Sequence, residues 1–233
     1  MIAGERLCPS PKTPAKAGVA PGLMVGTSCD INTRGPDGPG RDTNSQTAPF
    51  IRKGGKTMAY IRIAPMEELD ASVRKQLEAV RKTMGGVGEI AQVLSLRADI
   101  YNMTSGMVRT LLINQTELPY HIKESIAILV SKENSCTMCV GEHERMAKLL
   151  GMTEEQINQV LEGIDRMEIP DNERTLLQFC LKSGGKENYK VTQGDVDAVR
   201  NAGYTDSQIL EAVAIVGYFN YINTISNALG AGK

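Results

Sequence analysis

Between Met66 and Leu229 apolar residues recur at intervals of three and four, and the runs are broken only by glycine, proline or a capping sequence. That period lines one face of an α-helix and does not suit a strand, where faces alternate every second residue. Leu69, Val73, Leu77 and Val80 predict a helix over 66–82, stopped by Gly85 and Gly86. Further helices are expected over 89–96, 98–113, 118–131, 135–150, 153–164, 171–183, 192–201 and 205–229. Thr153 with Gln156 and Thr205 with Gln208 form Thr-x-x-Gln boxes, which satisfy the orphan N–H groups of a first turn. Pro65, Pro119 and Pro170 each stand where a helix begins, a position proline tolerates. No convincing strand pair is present, so the expected fold class is all-α. Gly151-Met-Thr-Glu-Glu-Gln-Ile157 echoes Gly203-Tyr-Thr-Asp-Ser-Gln-Ile209. This is either an internal duplication or two uses of one helix–turn–helix solution.

Residues 1–57 differ in kind. They hold nine of the 23 glycines and seven of the ten prolines, with eight Lys/Arg against four Asp/Glu. They have no apolar period and cannot bury enough surface to offset chain entropy. A disordered extension is expected there, with the folded domain over 58–233. Two readings of the extension stay open. It is a functional tail, or it is not native coding sequence. Lys53-Gly-Gly-Lys-Thr-Met58 back-translates to a purine-rich stretch resembling a ribosome-binding site before a start codon at Met58.

A net charge of -1 argues against nucleic acid as the main partner, since phosphate binding needs a basic excess. No uninterrupted apolar run reaches about 18 residues, so no membrane span is expected. Five cysteines are an odd number and too few for a secreted disulfide framework, which favours a reducing cytoplasm. The last helix carries Ile209, Leu210, Val213, Ile215, Val216, Tyr218, Phe219, Tyr221, Ile222 and Ile225 on more than one face. Such a helix is buried on most sides, centrally or at a subunit interface. A homo-oligomer is the preferred reading.

The chemistry concentrates in Glu133-Asn-Ser-Cys136-Thr-Met-Cys139-Val-Gly-Glu-His143. With Asn134 or Ser135 as N-cap, Cys136 falls in the first turn. At about 100° per residue, Cys136, Cys139 and His143 then share one face within an arc of about 60°. Cys139 and His143 stand one turn apart, close enough for an imidazole to touch a thiol. Helix dipole and imidazole both favour a thiolate. A free cysteine near 8.5 is roughly 3% ionised at neutral pH, whereas one near about 6.5 is roughly three-quarters ionised. The Cys-x-x-Cys spacing lets the second sulfur trap a sulfenic acid or mixed disulfide.

Two other readings remain. Cys136, Cys139 and His143 with Cys180 or Glu124 would make a zinc set, though structural zinc usually recruits a second Cys/His pair. Free cysteines also serve as inert core residues. Glu124 lies twelve residues before Cys136, beside the apolar Ser125-Ile-Ala-Ile-Leu-Val130. A hairpin would bring it back beside His143, to orient the ring and relay its proton.

The pattern Glu124-(x11)-Cys136-x-x-Cys139-x-x-x-His143 resembles the AhpD-like alkylhydroperoxidases of the carboxymuconolactone decarboxylase superfamily. The resemblance implies an all-helical fold assembled as trimers or hexamers. It also implies reduction of a hydroperoxide substrate through a reversible disulfide, with no metal or cofactor. Cys139 would be the peroxidatic thiol, Cys136 would resolve it and meet the external reductant, and Glu124 and His143 would form the proton relay. A thiol or lipoyl-bearing protein would supply electrons, and a peroxiredoxin is a partner of some members. One departure is Met138, where the best-studied relay has a second histidine. The decarboxylase branch acts on a lactone without the cysteine pair, so its reaction is disfavoured. His121 is expected at a partly exposed helix start, and Cys180 as a buried core thiol. Met103, Met107, Met138 and Met146 are read as core filler, or as an apolar mouth for alkyl peroxides. Lys182–Lys190 is read as a polar loop.

Overall fold

Asp70 starts the first long helix by accepting a hydrogen bond from the Ser72 backbone N–H at 2.8 Å. The computed structural model describes residues 59–232. The expected extension over 1–57 lies outside the described residues. Helix α1 spans Ala71–Met84, and Gly85 ends it at φ 75°, the left-handed conformation glycine takes without strain. The expected start at Met66 is therefore corrected. Met66–Glu68 form a separate 3-10 turn. Leu69 is extended, and its side chain reaches the core from outside the helix.

The remaining helices are α2 (Glu89–Leu94), α3 (Ala98–Val108), α4 (Tyr120–Glu133), α5 (Thr137–Leu149), α6 (Glu154–Glu162), α7 (Asp171–Gly184), α8 (Gln193–Asn201) and α9 (Asp206–Leu229). A π-helical turn over Arg109–Ile113 carries α3 to its expected end. No strand occurs among the described residues, so the chain is all-α there, as the periodicity requires. Pro119 and Pro170 are the N-caps of α4 and α7. Both Thr-x-x-Gln boxes form, at Thr153 and Thr205. A third box, Thr192 with Asp195, opens α8. The expected polar loop at 182–190 is shorter than its charge suggested. Helix α7 runs on to Gly184, and Asn188–Lys190 make a 3-10 turn.

The echo between 151–157 and 203–209 has a local cause. Gly151 (φ 96°) and Gly203 (φ 101°) each end a helix with the same bond pair. Gly151 N–H donates to Lys148 O and Met152 N–H to Ala147 O. Gly203 N–H donates to Arg200 O and Tyr204 N–H to Val199 O. This is the Schellman stop, used twice and each time followed by a threonine box.

Helices α4 and α9 form the centre. Ten consecutive α4 residues, Ile122–Ser131, are buried, because α5, α7 and α9 pack around it. Helix α7 comes so close to α9 that a Cβ on Gly184 would stand 2.8 Å from Val216 Cγ1. Helix α9 is long and apolar enough by length and composition to cross a membrane, and half of that stretch is buried inside the fold. Contacts with α4, α7 and α8 cover its buried side, while Leu210 and Val213 stay exposed. Burying Ile215, Val216, Phe219 and Ile222 stabilises the fold by roughly 1.5–3 kcal/mol per side chain.

Lys123 is fully buried in α4 and compensated on all sides. Its Nζ lies 3.3 Å from Glu211 Oε1, donates to Asn114 O at 3.2 Å, and stands 5.5 Å from the centre of the Tyr120 ring. Glu211 also accepts from Leu118 N–H at 3.3 Å and from the Thr116 hydroxyl. A buried charge needs such a partner set, and this one ties the segment before α4 to α9.

Candidate redox-active site

The site is built around the turn joining α4 to α5. Asn134 ends α4, and Ser135 takes a left-handed φ of 53°, the only described residue other than glycine to do so. Ser135 N–H donates to Lys132 O and Cys136 N–H to Ser131 O, each at 2.9 Å. This is the Schellman stop again, with serine in the glycine position. Asn227 from α9 donates its amide to Asn134 O at 2.8 Å, and Asn134 donates to Asn220 Oδ1 at 2.7 Å. Three asparagines therefore fix the turn against α9.

The turn shifts the expected cap by one or two residues. Cys136 is itself the N-cap of α5, at φ -91° and ψ 85°, so it stands outside the first turn. Cys139 and His143 do lie within α5, four residues apart, which puts their Cβ atoms about 5–6 Å apart on one face. Cys136 and Cys139 are joined as a disulfide, with Cα atoms 5.3 Å apart. Both are buried, Cys136 at 1% exposure and Cys139 at 6%.

Glu124 returns beside His143 as the hairpin requires. Its Oε2 lies 2.7 Å from His143 Nδ1, with the carboxylate side chain 3% exposed and the imidazole 14%. The Phe219 ring stands edge-on to the imidazole, with centres 4.7 Å apart at 85°. Phe219 thus holds the ring from the α9 side while Glu124 holds it from α4. A carboxylate can only accept, so against that form of Glu124 the Nδ1–H donates.

The other candidates are dispersed. Among the described residues no three His, Cys, Asp or Glu side chains converge on a point where a metal could be held. Cys180 is buried in α7, and burial pushes its thiol up to about 12. His121 sits at the exposed start of α4, 3.2 Å from Glu173. Met103 is exposed on the surface. Met138, between the cysteines, does reach a cavity of about 350 Å³, lined also by Val80, Met84, Ile90, Glu142 and Arg145. Its Sδ lies 3.9 Å from Ser226 Oγ, and Gly232 presses on it so closely that a Cβ there would overlap its side chain.

Sequence reasoning missed Phe219, Asn220 and Asn227. Their signal was a spacing of seven to eight residues along α9, which puts all three near one face.

Residues 98–179 match the carboxymuconolactone decarboxylase family, and Glu124, Cys136, Cys139 and His143 all fall inside that stretch. The similarity to that family covers 82 of the chain's 233 residues. Solved structures place this stretch in a wider fold. An AhpD-core, peroxidase-related protein from Ralstonia eutropha JMP134 is 23% identical with a TM-score of 0.71, over 76% of this chain and 93% of that one. A peroxidase-related protein from Silicibacter sp. TM1040 is 20% identical with a TM-score of 0.70, over 76% and 93%. The debrominase Bmp8, as a variant in complex with 2,3,4-tribromopyrrole, is 17% identical with a TM-score of 0.61, over 76% and 92%. At these identities the likeness establishes an AhpD-like fold for the matched stretch and its flanks. No curated protein matches the chain.

Proposed function

We propose that the chain is an enzyme of antioxidant defence, a thiol-dependent hydroperoxide reductase that cycles the Cys136–Cys139 disulfide. The observation that carries the reading is the Glu124–His143 pair, held 2.7 Å apart between α4 and α5, the helix at whose start the cysteines stand. A buried disulfide alone is a staple. A buried disulfide one helical turn from a carboxylate-held imidazole has a proton path beside it.

In this cycle the reduced Cys139 thiolate attacks the terminal oxygen of a hydroperoxide. The O–O bond breaks, the alcohol leaves with a proton passed through His143, and Cys139 becomes a sulfenic acid. Cys136 attacks that sulfur, water departs, and the disulfide forms. An external dithiol, such as a lipoyl group on a partner protein, returns two electrons and two protons by thiol–disulfide exchange. A peroxiredoxin and a trimeric or hexameric assembly belong to the same proposal.

Bmp8 supports a second arm of the test. A thiol pair that gives two electrons to peroxide can give them to a carbon–bromine bond, and Met138, between the cysteines in sequence, lines a largely apolar cavity. The deciding experiment is turnover of cumene hydroperoxide, hydrogen peroxide and a bromopyrrole by the full chain, with dihydrolipoamide as reductant. Peroxide turnover abolished by Cys139→Ser supports the proposal. Turnover of the bromopyrrole alone, or peroxide turnover unaffected by Cys139→Ser, overturns it.

A further inference from the structure

Asn223 is fully buried in α9, and its amide Nδ2 has no hydrogen-bond partner. Its Oδ1 is satisfied by the Ser131 hydroxyl at 3.3 Å. A buried donor left unmade is costly, and a redox or catalytic role is one of the reasons a folded protein keeps such a group.

Its neighbours say where that partner is. Ser131, which holds Oδ1, is also the residue whose carbonyl accepts the Cys136 N–H at 2.9 Å. Along α9, Phe219 stands against His143 and Ser226 stands against Met138. Helices α9 and α5 are thus antiparallel here, and Asn223 falls between those two contacts, as Cys139 does on α5. The α4–α5–α9 junction contains Cys136, Cys139, Glu124, His143 and the Asn223 amide. From α4 the ionisable group at this junction is Glu124, and from α5 they are the cysteines and His143. From α9 come only the uncharged Phe219, Asn223 and Ser226.

We infer that the Asn223 side-chain amide is the hydrogen-bond donor to the thiolate that appears when the Cys136–Cys139 disulfide is reduced. A disulfide sulfur is a weak acceptor, so the amide has nothing to bond in the oxidised form. A thiolate is a full anion, and a neutral N–H aimed at an anion makes the stronger class of hydrogen bond. The donor stands on a fully buried side chain packed between α9 and α4, so little reorganisation accompanies charge formation. Asn223 therefore stabilises the reduced, ionised pair over the disulfide. It does so without a charge of its own, which leaves Glu124 and His143 to move protons.

This inference rests on the redox reading only in that the pair opens and closes. Its readouts use no peroxide, so it stands or falls separately from the substrate. The full chain is reduced with dithiothreitol, and iodoacetamide labelling of Cys136 and Cys139 is followed by peptide mass from pH 5 to 10. Asn223→Leu, which keeps the volume and loses the donor, is expected to move the lower labelling midpoint up by about one pH unit, about a tenfold change in ionisation. Its equilibrium with dithiothreitol is expected to shift about tenfold toward disulfide. Ser131→Ala, which removes only the Oδ1 partner, is expected to leave the midpoint within a few tenths of wild type. A folded Asn223→Leu with an unchanged midpoint overturns the inference, as does an equal shift in Ser131→Ala. Should Asn223→Leu fail to fold, wild-type protein labelled with ¹⁵N-asparagine decides. The Asn223 side-chain amide signals, assigned by their contacts with the Phe219 ring, must move over the same pH range as thiol labelling. Signals that stay fixed across that range overturn the inference.

Discussion

Nδ1 of His143 and Oε2 of Glu124 meet at 2.7 Å across the α4–α5 hairpin, in a pocket closed on its third side by the Phe219 ring. In the proposed cycle the carboxylate orients the imidazole and Nε2 would exchange the proton. Glu124→Gln keeps the shape and loses the charge. It is expected to lower kcat/KM for a hydroperoxide by about 100-fold, the usual worth of a positioned acid–base group. A coupled peroxidase assay with dihydrolipoamide checks it, and unchanged circular dichroism confirms that the fold survives.

The left-handed serine at 135 is a strained choice. A residue with a Cβ in that conformation costs about 1 kcal/mol relative to glycine. Ser135→Gly is expected to raise stability by about that amount, or roughly 2–4 °C in Tm. Ser135→Val is expected to lower it by at least as much. Thermal melts of the oxidised protein measure both.

Lys123 makes the opposite point about burial. Lys123→Met leaves Glu211 without its cation inside the protein, and breaking a buried pair from one side costs about 3–5 kcal/mol. The double variant Lys123→Met, Glu211→Met is expected to recover more than half of that loss. Urea denaturation of the three proteins gives the comparison.

Cys180 supplies a pH dependence with a definite sign. Its folded thiol is pushed up to about 12, above the value near 9 of an exposed thiol. Its contribution to stability is therefore fully present below pH 9 and is lost as pH rises toward 12. Between those limits the unfolded chain loses the thiol proton and the folded chain keeps it. Denaturation curves are expected to fall off less steeply between pH 9 and 11 in Cys180→Ala than in wild type. In the native wild type, Cys180 is expected to escape iodoacetamide at pH 8.5.

Much of this was legible in the residues. The three- and four-residue apolar period located every helix, and the threonine boxes located two starts, because both are local effects. One error was local, and the others came where a distant contact decided. Leu69 looked helical by spacing, but Asp70 caps α1 after it. Ser135 looked like a cap, but the asparagines of α9 hold the turn so that Cys136 takes that role. The approach of Glu124 to His143 followed from the hairpin. Lys123 and Asn223 were passed over because their burial depends on α9 folding back across α4, which no local pattern states. A polar residue inside the apolar run Tyr218-Phe-Asn-Tyr-Ile-Asn223 was the trace that could have revealed the second.

The two bonded cysteines are separated by three positions in sequence. A ring so small takes little freedom from the denatured chain, on the order of 2 kcal/mol at most, against nearly 5 for a hundred-residue loop. Opening the bond therefore costs the molecule at most roughly 4–8 °C of heat resistance. In the proposed cycle the pair would open and close repeatedly while the surrounding helices stay assembled.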